Sequence, residues 1–229
     1  MLLEVIATNI GDVRSAGAYG AHRIELVTGI AEGGLTPSLG LIEQAVEAAT
    51  IPIQVMVRPH SQSFCYSDGD LAVMRRDIAA IRAAGATGIV LGTLTESGTV
   101  DVRALEMLLG AADGLDITFH RAFDEVRDQE AALGALAAYP QIRRILTSGG
   151  PQPAPQAIPQ LVRLAEAASG THLRILAGHG LQPETIGAFV QATGVHEVHF
   201  GSAVREGASF ARPLDAARIG QVLAALELA

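Results

Sequence analysis

Asp116-Ile-Thr-Phe-His-Arg-Ala-Phe-Asp124 is the stretch that decides the fold. An apolar, β-type run stops abruptly at His120, Arg121 and Asp124. A buried strand ends in a base, a cation and an acid only where its end opens onto something polar. The same shape recurs along the chain. Ile51-Pro-Ile-Gln-Val-Met-Val57 runs into Arg58, and Arg144-Ile-Leu146 runs into Thr147, Ser148, Gly149 and Gly150. Leu173-Arg-Ile-Leu-Ala177 runs into Gly178, His179 and Gly180. Strands that carry their polar chemistry at the carboxyl end are the signature of an α/β barrel with a site on one face.

Working outward, strand-like runs alternate with alanine-rich helical runs from end to end. The strands are predicted near 2–7, 22–27, 51–57, 88–92, 115–119, 143–147, 173–177 and 197–201. Helices are predicted near 11–19, 38–49, 68–84, 101–111, 127–138, 155–168, 183–192 and 215–227. Eight βα units in succession close a parallel sheet into a (β/α)8 TIM barrel. No linker or shift of composition divides the chain, so residues 1–229 read as a single domain. Thr36, Asp68 and Asp101 are predicted to cap helices, with Pro183 opening the seventh.

Composition narrows the function. Apolar residues make up 49% of 229, enough to bury a sizeable core. The net charge of −8 argues against nucleic acid or an anionic membrane as a partner. A local arginine cluster still allows a small anionic ligand. No apolar run reaches the ~18 residues of a membrane span, and no secretory leader is visible. A single cysteine, Cys65, forms no internal disulfide, and a cytoplasmic location is expected. All 16 basic residues are arginine. Without a lysine amine, neither a Schiff-base mechanism nor covalent pyridoxal phosphate attachment is available. The alanine-rich helix surfaces are compatible with a homo-oligomer.

Glu4 and Glu25 each interrupt an apolar strand, where an unpaired carboxylate is costly. Each is either paired with an arginine such as Arg23, Arg58 or Arg121, or functional. Arg58, fixed by Pro59, offers a planar fork for a carboxylate or phosphate, or a salt bridge across the barrel mouth. His120 reads as a general acid or base near neutral pH. Asp124 either orients that imidazole or holds Arg121. Thr147, Ser148 and Gly149, then Gly178 and Gly180, then Gly201 and Ser202 follow strands six, seven and eight. Barrels bind phosphate there through free backbone N–H groups, and plain turns use the same residues. Glu32-Gly-Gly-Leu-Thr-Pro-Ser38 reads as a loop over the mouth.

Several of these stretches resemble the motifs of the CutC family. They are Glu32-Gly-Gly-Leu-Thr-Pro-Ser38, Arg58-Pro59, Phe64-Cys-Tyr-Ser-Asp68, Thr118-Phe-His-Arg-Ala-Phe-Asp124, Leu146-Thr-Ser-Gly149 and Ala177-Gly178. The resemblance spans roughly residues 1 to 205 and implies a cytoplasmic TIM barrel with a role in copper homeostasis, copper binding included. One feature departs from it. Family members often carry a cysteine pair after the first-strand glutamate, whereas Glu4 here is followed by Val5, Ile6 and Ala7. Cuprous ion prefers thiolate and thioether ligands. Cys65 and Met56 are the softest donors left, and a two-thiolate site cannot form within one chain. Cys65 is the metal-ligand candidate, with His60, His120, His179 and His199 as imidazole donors for another metal. Two functions follow. One is a copper-homeostasis protein. The other is an isomerase or lyase, without a Schiff base, acting on a small anionic or phosphorylated metabolite.

Overall fold

A computed structural model describes residues 1–228. The eight strands are β1 (Leu2–Ala7), β2 (Arg23–Leu26), β3 (Ile53–Met56), β4 (Gly88–Leu91), β5 (Asp116–Phe119), β6 (Ile142–Thr147), β7 (Arg174–Ala177) and β8 (Glu197–Phe200). They pair in chain order, all parallel, and β8 closes onto β1 to complete the barrel. The helices are α1 (Ile10–Ala18), α2 (Leu39–Ala48), α3 (Asp68–Ala83), α4 (Val102–Leu109), α5 (Gln129–Leu136), α6 (Ile158–Ser169), α7 (Ile186–Thr193) and α8 (Ala216–Glu227). The TIM barrel expected from the sequence is the fold observed. Among the described residues, no helix is long and apolar enough to cross a membrane.

Strand alternation sorts the side chains. Leu3, Val5, Ile24, Leu26, Ile53 and Val55 pack outward with the helices in the main core. Val27, Met56 and Val90, with Ile6 and Ile30 against them, form a separate cluster inside the barrel. Beside that cluster the interior is charged. Glu4 sits beside Arg23 on one side and His199 on the other, and Glu25 lies beside Ile6 and Gln54. Barrel interiors ordinarily hold branched apolar side chains. This one sets an ionic layer beside a small apolar cluster, and both border an open mouth.

Helix starts follow the expected chemistry with local corrections. Asp101 caps α4 by accepting from the Ala104 N–H at 2.9 Å. Ser67, not Asp68, caps α3, in a reciprocal capping box with Asp70. A hydroxyl followed three residues later by an acid satisfies two free backbone donors, which Asp68 alone does not. Ser38, not Thr36, caps α2. Thr36 instead accepts from the Arg58 N–H at 2.9 Å and donates its own N–H to the Arg58 carbonyl, tying the second loop to the third. Helix α7 starts after Thr185, later than Pro183 suggested.

Candidate active site

At the carboxyl ends of the strands lies a cavity of about 620 Å3. Glu25 and His199 reach it from below, and Arg58, His120, Arg121 and Asp124 come from loops three and five. His179, Gly180, Gly201 and Ser202 line it from loops seven and eight.

The floor is a chain of ionic contacts. Glu4 is fully buried; one carboxylate oxygen meets the Arg23 Nε–H and the other lies 2.8 Å from His199 Nδ1. Arg23 continues to Glu197 at 2.7 Å, Glu197 to Arg144 at 3.2 Å, and Arg144 to Asp116 at 2.7 Å. On the cavity side, His199 Nε2 stands 3.7 Å from Glu25 Oε2. Glu25 Oε1 has no hydrogen-bond partner among the described residues.

These environments drive the two carboxyls apart. Burial alone would raise Glu4, but Arg23 and His199 carry it down to about 2. Burial lifts Glu25 to about 7, with the Glu4 charge adding to the rise and His199 and Arg23 opposing it. Burial works against a charged His199, yet Glu25 and Glu4 raise it. Glu4 is thus a fixed anion that orients His199, and His199 faces Glu25 across 3.7 Å, close enough for charge to couple the two but beyond a direct hydrogen bond. Titratable groups pushed apart in this way mark acid–base machinery.

His120 belongs to the wall. Its ring sits against Gly92, where an added Cβ would come within 2.5 Å of Nδ1, so only glycine leaves it room. Phe64 packs on the ring with centroids 4.9 Å apart. Nδ1 accepts from the Ala122 N–H at 3.2 Å, while buried Nε2 has no partner among the described residues. Burial, and then the Arg58 charge, push His120 down to about 3. The expectation that it gains and loses a proton near neutral pH is therefore corrected: the ring stays neutral.

Arg58 is 8% exposed and forms no ion pair among the described residues. Its Nη1 donates to the carbonyls of Glu32, at 2.8 Å, and Gly34, at 3.2 Å. Its guanidinium lies 4.8 Å over the Phe64 ring, and Nε has no partner among the described residues. The salt bridge across the mouth does not form, and the cation is left at the cavity wall without an anionic partner among the described residues. Asp124 resolves the other way. It accepts from the Arg121 Nε at 2.8 Å, the Thr147 hydroxyl, the Ser148 hydroxyl at 2.9 Å, and the backbone N–H groups of Ser148 and Gly150. It holds Arg121 and does not touch His120.

That arrangement changes the role of the sixth loop. The Gly149 N–H is taken by the Thr147 hydroxyl at 2.9 Å, so the N–H groups of Ser148, Gly149 and Gly150 are all spent inside the protein. The Asp124 carboxylate takes the N–H groups of Ser148 and Gly150 that a phosphate would need. Gly178 has a packing reason too: a Cβ there would stand 2.8 Å from Leu146 and 3.2 Å from His199. Gly180, Gly201 and Ser202 remain on the cavity wall.

Cys65 is half-buried in the third loop and lies outside the cavity lining. Among the described residues, the one group of three metal-capable donors is Glu4, Glu25 and His199, whose ligand atoms lie within 4.8 Å of one another. It contains no sulfur, both Glu4 oxygens are engaged, and the Arg23 guanidinium opposes a second cation. It suits a proton better than cuprous ion. His60 lies 3.6 Å from Asp70, away from the floor.

Arg144, Glu197 and Asp116 did not stand out in the sequence, and neither did the Asp12–Arg205 pair. Arg205 is fully buried, meets both Asp12 oxygens at 2.7 and 3.1 Å, and stacks 4.9 Å from Phe210. A charge in the middle of an apolar strand was the available signal for Arg144. Arg205, in a loop, carries none.

Comparison with known proteins gives this geometry its relatives. The CutC family model matches residues 1–204. A family protein CutC of Vibrio campbellii is 43% identical over 199 residues, covering 86% of this chain and 80% of that one. Its counterpart in Caulobacter vibrioides is 42% identical over 206 residues, covering 89% and 83%. The crystal structure of the putative copper homeostasis protein CutC from Streptococcus agalactiae superposes with a TM-score of 0.82. It is 34% identical and covers 88% of this chain and 98% of its own. Phosphoribosyl anthranilate isomerase from Thermococcus kodakaraensis shares the barrel, with a TM-score of 0.65 and full coverage of this chain, but only 17% identity.

Proposed function

This chain belongs to the CutC family, and we propose that it is an enzyme that moves a proton on a small anionic metabolite. The carrying observation is the Glu25 carboxyl, buried at the cavity floor 3.7 Å from a His199 that Glu4 orients. Glu4, neutralised by Arg23, fixes His199. Glu25, with an unpartnered oxygen and a pKa raised to about 7, gives or takes the proton. Arg58 and Arg121 attract the anion. The reaction class that fits such a proton transfer is isomerase or lyase, and it runs without a Schiff base because the chain has no lysine. The spent N–H groups of loop six favour arginine over a backbone nest as the anion's main partner.

The second reading is the copper role for which the Streptococcus agalactiae protein is named. The donor group Glu4, Glu25 and His199 favours it. Cuprous ion would be cargo at this site, but oxygen and nitrogen donors beside an arginine do not match its preference for sulfur.

A thermal-shift screen separates the two. It uses carboxylated and phosphorylated metabolites beside cuprous ion under reducing conditions. A ligand at a hundred times its Kd stabilises by ~2.7 kcal/mol. A metabolite shift lost in Arg58→Ala, with no shift from copper, supports the enzyme. A copper shift lost in Cys65→Ser or His199→Ala, with metabolites silent, refutes it.

A further inference from the structure

The Glu4–His199–Glu25 cluster leaves His120 unused. His120 contributes a buried ring nitrogen that nothing among the described residues satisfies. Buried polar atoms are nearly always paired, so an orphan on a cavity wall points to a ligand atom. Which kind of atom follows from the other face of the ring. A neutral imidazole has one N–H and one lone pair. The Ala122 N–H points at Nδ1 and takes the lone pair. The hydrogen is therefore on Nε2, which acts as a donor. The same tautomer removes His120 from the metal-ligand candidates, because a protonated Nε2 has no lone pair to offer.

The ring is also held still. Gly92 lies against one side, with no Cβ to displace it, and Phe64 packs on it with centroids 4.9 Å apart. Arg58 lies over the same Phe64 ring, 4.8 Å from its centroid, with Nε unpartnered among the described residues. A fixed uncharged donor and a cationic edge thus flank one aromatic ring.

Building on the proton-transfer reading, we infer that His120 is a catalytic electrophile whose Nε2–H receives a substrate carbonyl oxygen, so that the substrate is a carbonyl compound bearing a carboxylate or phosphate. The step it serves is enolisation. The C–H bond next to the carbonyl breaks, and its proton goes to the ionised Glu25 carboxylate. The C–H electron pair becomes the new C=C bond, and the carbonyl π pair moves onto the oxygen. The His120 N–H and the Arg58 charge stabilise that oxygen. Return of the proton from Glu25 to the opposite face of the same carbon completes an epimerisation. Where that carbon carries a hydroxyl, the hydroxyl proton passes to the former carbonyl oxygen and Glu25 protonates the former carbonyl carbon, which moves the carbonyl along the chain. Where the next carbon carries a leaving group, the carbonyl re-forms, the double bond shifts by one position and the group departs with its bonding pair, completing a lyase reaction. A neutral imidazole suits this role because it strengthens its hydrogen bond as charge develops without surrendering its proton. Low burial-driven basicity keeps it in that form across the physiological range.

Two experiments test the inference. The first needs no ligand: nitrogen NMR of the histidine rings in the unmodified protein between pH 5 and 8. His120 is expected to show the neutral Nε2–H tautomer throughout. A cationic ring at pH 6, or a proton on Nδ1, overturns the inference. The second follows deuterium entry from D2O by proton NMR. The probes are pyruvate, 2-oxobutyrate, 2-oxoglutarate and dihydroxyacetone phosphate, beside lactate, 2-hydroxybutyrate, 2-hydroxyglutarate and glycerol 3-phosphate. At least one carbonyl probe is expected to exchange in a protein-dependent manner. His120→Ala should slow that exchange on the order of 100-fold, as loss of one such donor does. His120→Gln, which keeps a neutral donor, should retain part of the rate and guards against a folding defect. If the hydroxy acids bind through Arg58 and no carbonyl probe exchanges, the enolisation inference fails while the anionic-metabolite reading stands. If none of the probes binds, both fail.

Discussion

His199 Nδ1 and Glu4 Oε1 are 2.8 Å apart, joining the last strand to the first inside the barrel. The contact spans the seam that β1–β8 pairing closes and orients the imidazole toward Glu25. Its consequences reach both stability and chemistry.

Glu4→Gln removes the anion shared by Arg23 and His199 and leaves the Arg23 guanidinium buried with only Glu197. Breaking a buried pair from one side costs about 3–5 kcal/mol. Urea unfolding at pH 7 should show a loss of that size. The folded carboxyl is held at about 2 against an ordinary 4.5, so its contribution is present above 4.5 and is lost as pH falls toward 2. The wild type and the variant should converge in acid.

Glu25→Gln should do the opposite. The unfolded carboxyl ionises near 4.5 and the folded one near 7. Between those values the folded state binds more protons, so stability falls as pH rises and stays lowered above 7. Glutamine removes that penalty. Unfolding at pH 8 should require up to ~3 kcal/mol more in the variant, with no difference at pH 4 and with catalysis abolished. An unchanged or lower stability at pH 8 sinks the assignment.

Arg205→Ala leaves Asp12 buried without its bidentate partner and removes the donor to the Ile6 carbonyl. A loss of about 3–5 kcal/mol in denaturant unfolding is expected. The cost should persist at 1 M salt, since a buried pair is little screened.

Cys65 should react slowly. Partial burial, then the charges of Glu96, Asp101 and Glu125, raise its thiol above the ordinary value. The thiolate is the nucleophile, so alkylation by iodoacetamide at pH 7 should run slower than for a free cysteine. Cys65→Ser should leave the thermal midpoint and anion binding unchanged. Rapid alkylation, or a large loss of either, contradicts its placement outside the site.

The barrel was legible because each strand announces its end. Asp116–Phe119 stops at His120 and β3 is followed within two residues by Arg58, so element order, closure and the polar face all follow from local pattern. The mouth residues were legible for the same reason. Pairing was not. Glu4 had three arginine candidates, and only the register of β1 with β2 and β8 selects Arg23 and brings in His199. Asp124 showed the same limit: its fate depended on a sixth loop whose N–H groups turn toward it. The neutral state of His120 rests on Gly92 and the Ala122 N–H, contacts that no sequence spacing reveals.

The most direct measurement is carbon NMR of the glutamate side-chain carboxyls, titrated from pH 3 to 9 in wild type, Glu25→Gln and His199→Ala. One carboxyl should titrate near 7, vanish in Glu25→Gln and move in His199→Ala. A Glu25 carboxyl that titrates below 5 and ignores His199 would contradict the coupling of the two groups on which the proposed activity depends.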